Sequence, residues 1–68
     1  MSDIGIIIRQ HRISQHLSQE DLAEKSALDR TYISMLERGK KSPTIETANR
    51  IAFALGTKLS LILVEAGL

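Results

Sequence analysis

Leu17-Ser18-Gln19-Glu20-Asp21-Leu22-Ala23-Glu24-Lys25-Ser26-Ala27-Leu28-Asp29-Arg30-Thr31-Tyr32-Ile33-Ser34-Met35-Leu36-Glu37-Arg38-Gly39 reads as two short helices joined by a tight turn. Ser18 is a good N-cap for a helix over about 19–26, because its hydroxyl can accept from an unpaired first-turn N–H. Asp21, three residues on, completes a capping-box-like pair, and Leu22 and Ala23 face inward. Asp29 caps the next helix over about 30–38, and Gly39 falls where a left-handed C-cap is expected.

Working outward, three further segments show helical character. Ser2 or Asp3 can cap a first helix of about 3–15, with Ile4, Ile7, Ile8, His11 and Gln15 on one face. Pro43 and Thr44 punctuate the start of a fourth, from about Ile45 to Leu55. Its apolar side carries Ile45, Ala48, Ile51, Ala52 and Leu55, Glu46 suits the dipole of its first turn, and Gly56 stops it. The tail from Leu59 to Ala66 begins by alternating like a strand, but its leucine density and length suit a buried helix, and helix is the favoured reading. Short loops with no repeat or linker imply one compact all-α domain over 1–68.

A chain of 68 residues buries only about 60 % of its unfolded surface, so oligomerisation is the expected source of added stability. Hydrophobic residues make up 43 % of it, the content of a folded globule. The absence of cysteine excludes disulfides and thiolate metal sites and fits a reducing cytoplasm. The apolar runs fall short of the roughly 18 to 20 residues that cross a bilayer, and Ile6-Ile7-Ile8 is too short for a signal core, so a soluble protein without a membrane partner is expected. Net charge is +1, which does not by itself announce a nucleic-acid binder. Its distribution says more: from Arg30 to Lys41, the cations Arg30, Arg38, Lys40 and Lys41 face the single acid Glu37.

At about 100° per residue, Ile33 and Leu36 of the third helix share a face and must point to the core. The opposite arc holds Thr31, Ser34, Met35 and Arg38, with Arg30 at the N-terminal edge and Tyr32 flanking. This chemistry suits base edges in a major groove: Arg pairs with guanine O6 and N7, Thr and Ser donate or accept, and Met meets a thymine methyl. Taken alone, the helix is equally compatible with an ordinary solvated surface.

The fragments Leu17-Ser18-Gln19-Glu20-Asp21-Leu22-Ala23, Asp29-Arg30-Thr31-Tyr32-Ile33-Ser34, Glu37-Arg38-Gly39, Ser42-Pro43-Thr44 and Ala54-Leu55-Gly56, in this order and spacing, resemble the lambda-repressor/Cro-like (XRE) helix-turn-helix family. The similarity covers about residues 4–66, and the Leu-Asp-Arg-Thr-Tyr-Ile-Ser run resembles the controller proteins of restriction-modification systems. It implies a compact five-helix lambda-repressor-like DNA-binding domain, with the helix-turn-helix at about 19–38, acting as a homodimeric transcriptional regulator on a near-palindromic operator.

By this resemblance Arg30, Thr31, Ser34 and Met35 face bases, packing against a neighbouring helix being the alternative for Met35. Gln19 contacts a phosphate and orients the first reading residue. Tyr32 flanks the reading face, its hydroxyl reaching a phosphate while its ring covers the core edge; a purely structural tyrosine is the alternative. Arg38, Lys40, Lys41 and Ser42 hold the sugar-phosphate backbone, fixing register without reading sequence. Arg12 and Glu37 stand where family members form an internal ion pair between the first and third helices. Phe53, Leu59, Leu61, Ile62, Leu63 and Val64, within a dimerisation region of about 53–66, are candidates for a core shared between two copies.

Two departures stand out. Where the family carries glycine at positive φ in the turn, this chain has Ala27, costing about 1 kcal/mol if the geometry is kept; an altered turn is expected. Ile6 and Ile13 point away from the core face of the first helix, as scattered exposed hydrophobics or as a surface for a second protein such as a toxin. His11 stands where the family has leucine and His16 where it often has glycine. They do not share a helix face, and no spaced ligand set completes a metal site. No nucleophile, base and orienting group occur together and no phosphate-cradling glycine loop is present, so neither an enzyme nor a cofactor is expected.

Overall fold

The computed structural model describes residues 4–67, and the capping expected from Ser2 or Asp3 lies outside them. Five helices follow one another: α1 (Ile4–Ser14), α2 (Gln19–Ser26), α3 (Arg30–Glu37), α4 (Ile45–Ala54) and α5 (Leu59–Glu65). The tail is helical, resolving its strand-like start. Among the described residues there is no strand, and no single helix is long and apolar enough to cross a membrane.

The local signals read from sequence act as capping chemistry requires. Ser18 Oγ accepts from the Asp21 amide at 2.9 Å while Asp21 Oδ2 accepts from the Ser18 amide at 2.9 Å, a reciprocal capping box. Asp29 Oδ1 accepts from the Thr31 amide at 2.7 Å, and Thr44 Oγ1 from the Thr47 amide at 3.1 Å. α1, α2, α3 and α4 each end in a Schellman-type turn whose C′ residue has positive φ: His16, Ala27, Gly39 and Gly56. Two of these four are not glycine. Ala27, at φ 57° and ψ 41°, keeps the left-handed geometry, so the expected alteration of the turn does not occur.

Ile8, Leu22, Ile33, Leu36, Ile51 and Ile62, at least one from each helix, are fully buried and form the centre of the core. Each such side chain contributes on the order of 2 kcal/mol through burial. α1 lies directly against the end of α3 because Gly5 has no side chain there. A Cβ on Gly5 would overlap the Leu36 carbonyl oxygen and stand 2.9 Å from its carbon.

Two apolar residues sit elsewhere than expected. Ile45, placed by periodicity on the inner side of α4, is 81 % exposed, because it stands at the first position of that helix, where burial begins only at Ala48. Ile62, proposed for a shared core, is 1 % exposed and belongs to this chain's own core. With one short helix covering the base of the bundle, an apolar residue of α5 must fill it. Leu59 and Leu63 pack against the same core, whereas Phe53, Leu61 and Val64 face outward. Ile6 and Ile13 are also exposed.

Candidate nucleic-acid interface

The capped start of α3 sends Arg30 and Thr31 into solvent beside the first turn of α2. Gln19, Arg30, Thr31 and Ser34 line one shallow depression, and Arg12, Ser18, Gln19, Glu20 and Arg30 line its neighbour. The structure therefore brings three of the four expected base-reading side chains together with Gln19. Met35 is half-buried and lies outside that depression.

Behind this face lies a network whose members come from α1, α2 and α3. Arg12 Nε donates to Glu37 Oε2 at 2.7 Å and Arg12 Nη2 to Glu37 Oε1 at 2.9 Å, a bidentate pair with Glu37 almost wholly buried. Arg12 Nη1 donates to the Leu17 carbonyl at 2.8 Å, and Gln19 Nε2 to Glu37 Oε1 at 3.1 Å. The hydrogen bonds to Glu37 hold the Arg12 guanidinium pKa above its ordinary value, outweighing desolvation. A buried acid paired this fully fixes geometry more than it adds net stability. Gln19 is thus anchored to the network through its amide nitrogen while it also lines the depression.

Tyr32 is partly buried, as a flanking residue should be, but its hydroxyl lies 3.2 Å from Thr47 Oγ1 on α4. Lys41 Nζ sits 5.8 Å from its ring centroid, a cation–π distance that places this lysine beside α3. Arg38 Nε lies 3.4 Å from the Ser34 carbonyl. Lys40, Lys41 and Ser42 are exposed in the loop that follows. The expected backbone-holding cations therefore flank one end of the face.

Sequence reasoning missed Arg50. Its Nε donates to the Ser26 carbonyl at 3.1 Å and its Nη2 to the Ala27 carbonyl at 2.6 Å, tying α4 to the turn of the helix-turn-helix. Nothing in the spacing of α4 singles out this arginine, since the pairing spans the bundle. His11 lies on the α1–α5 seam, with Nε2 2.7 Å from Glu65 Oε1.

Two adjoining helices with a left-handed turn, the second presenting an exposed polar face, define a helix-turn-helix protein. Comparison with known proteins agrees: the helix-turn-helix family matches residues 8–62, and the chain belongs to that XRE-type family. It is 43 % identical over 61 residues to control protein C.SmaI of Serratia marcescens, covering 90 % of this chain and 73 % of that one. It is 39 % identical over 64 residues to an uncharacterized HTH-type transcriptional regulator of Mycobacterium tuberculosis, covering 94 % of this chain but only 46 % of the relative's length. Among solved structures, the regulator ClgR from Corynebacterium glutamicum superposes with a TM-score of 0.90 at 33 % identity, over 94 % of this chain and 68 % of that one. The restriction-modification controller protein C.Esp1396I, solved as a tetramer with its natural 35 base-pair operator, superposes with a TM-score of 0.85 at 35 % identity, over 96 % and 90 %.

Proposed function

We propose that this chain is a sequence-specific regulator of transcription that binds double-stranded DNA as a homodimer on a near-palindromic operator. The observation that carries this reading is the joint placement of Gln19, Arg30, Thr31 and Ser34 on one exposed face, braced from behind by Arg12 and Glu37. Arg30, Thr31 and Ser34 supply base contacts, with Met35 at their edge. Gln19, Arg38, Lys40, Lys41 and Ser42 supply salt-dependent phosphate contacts. Tyr32 serves chiefly as a strut between α3 and α4, its hydroxyl at the rim toward the phosphates.

Dimerisation is supported by helix count and by surface. One copy carries a single α3, so reading two half-sites one DNA turn, about 34 Å, apart takes two copies. Phe53, Leu61 and Val64, 84 %, 48 % and 70 % exposed, supply an apolar face for a second copy, with Leu59 and Leu63 beneath it. Occupying a promoter then blocks or recruits polymerase, and protein concentration sets the response. A footprint on the DNA upstream of the protein's own gene is expected to show two protected half-sites one turn apart. Uniform protection equal to that of unrelated duplex would refute sequence-specific regulation.

A further inference from the structure

We infer that Arg50 is a positioning residue for DNA reading, acting as a clamp on the helix-turn-helix turn; this rests on the proposed reading of α3 as the reading helix. α2 and α3 are separated by Ala27, Leu28 and Asp29 alone. The direction in which α3 leaves therefore depends on the dihedral angles of Ala27, which occupies the left-handed region at φ 57° and ψ 41°. For a residue with a Cβ this conformation is disfavoured relative to glycine. Something must hold it.

The Ser26 carbonyl belongs to the peptide plane before the Ala27 Cα, and the Ala27 carbonyl to the plane after it. Orientation of the first plane sets φ of Ala27 and orientation of the second sets ψ. Arg50 bonds to both, through Nε at 3.1 Å and Nη2 at 2.6 Å. One rigid planar fork thus fixes both angles, which a lysine ammonium cannot do with the same geometry. The guanidinium also neutralises the carbonyl end of α2. From inside the turn, Ser26 Oγ donates to the Leu22 carbonyl at 2.7 Å, and the Leu28 amide donates to the Ala23 carbonyl at 2.9 Å. Arg50 completes the turn from outside, on a helix that does not carry the reading residues.

The test compares wild type with Arg50→Met, Arg50→Lys, Ala27→Gly and the Arg50→Met/Ala27→Gly pair. Two readouts are used: amide hydrogen exchange, and binding to duplexes that the wild type enriches from a random-sequence pool. In Arg50→Met the Leu28 amide is expected to exchange at least about 10-fold faster while the core Ile51 amide is unchanged, the signature of local opening. Affinity for the enriched duplexes falls by about 10-fold, Arg50→Lys lies between, and the salt slope stays at its wild-type value because no phosphate contact is lost. In the Ala27→Gly background, where the left-handed turn needs less support, Arg50→Met costs no more than about 3-fold.

A salt slope lowered by about one would make Arg50 a phosphate contact and overturn the clamp. So would unchanged Leu28 exchange, equal acceleration at Ile51, or no relief from Ala27→Gly. If wild type enriches no sequence, the DNA-reading proposal fails, while the exchange measurements still decide whether Arg50 holds the turn.

Discussion

Around the turn between α2 and α3, Arg12, Gln19, Glu37 and Arg50 are tied to partners within the same chain. At the junction of α4 and α5, by contrast, Phe53, Leu61 and Val64 face outward, and Lys58 makes no side-chain cap for α5. The first region is complete in one copy of the chain, so on the proposed function its reading face is held in place before any DNA arrives. The second has surplus apolar surface that a single copy leaves in water. Under the proposed function, recognition rests on preorganised polar geometry and assembly on the hydrophobic effect, so the two should fail separately when each is broken.

The largest effect is expected from the assembly side. Phe53→Asp combined with Val64→Asp alters two exposed positions and should leave the fold intact by circular dichroism. Losing the second reading helix removes a linked binding event worth about 100-fold or more in affinity. Sedimentation should show a monomer and gel shifts the matching loss; a persistent dimer would move the interface elsewhere.

Breaking the preorganised region should instead act on stability first. Arg12→Met leaves Glu37 buried without its cation, a loss of about 3–5 kcal/mol, measurable by urea unfolding. Arg12→Met/Glu37→Leu should recover much of that stability while DNA binding stays weak, because the brace behind Gln19 is still missing. A folded Arg12→Met with wild-type affinity would show that the network does not position the reading face. Gly5→Ala forces α1 away from the Leu36 carbonyl, an overpacking expected to cost about 1–3 kcal/mol, and thermal unfolding would reveal it.

The smallest effect concerns acid. Hydrogen bonds from the Ser18 backbone amide, then the Ser18 hydroxyl, hold the Asp21 carboxyl below its ordinary value. A depressed carboxylate stabilises the fold above the usual carboxylate range, and that contribution disappears as pH falls through the folded-state value. Asp21→Asn should therefore flatten the acid limb of the stability curve slightly, with neutral-pH dimerisation untouched.

The fold was largely legible in the sequence because its signals are local. Ser18 with Asp21, Asp29 and Gly39 mark helix ends through contacts within four residues, and they mark them correctly. The face of α3 followed from helical period, which put Ile33 and Leu36 inside. Long-range facts were less accessible. Periodicity could not tell that Ile62 serves this chain's own core or that Ile45 stays in solvent, since both depend on how the helices pack. Arg50 and Gly5 gave no signal because their partners lie 23 to 32 positions away, and the resemblance offered a role for Arg12 but none for them. Ala27 marked the right place for a departure, but the departure is in the residue rather than in the backbone, which Arg50 helps hold in the family's geometry.

The most direct test of the central claim is the affinity of Arg30→Ala for a duplex footprinted or enriched by the wild type. Arg30 is exposed and lies off the bracing network, so the variant should fold and dimerise normally. Its affinity for that duplex should fall by about 1–3 kcal/mol and its discrimination at one base position of each half-site should relax. Equal binding and equal discrimination by Arg30→Ala and wild type would contradict the assignment of α3 as the reading helix.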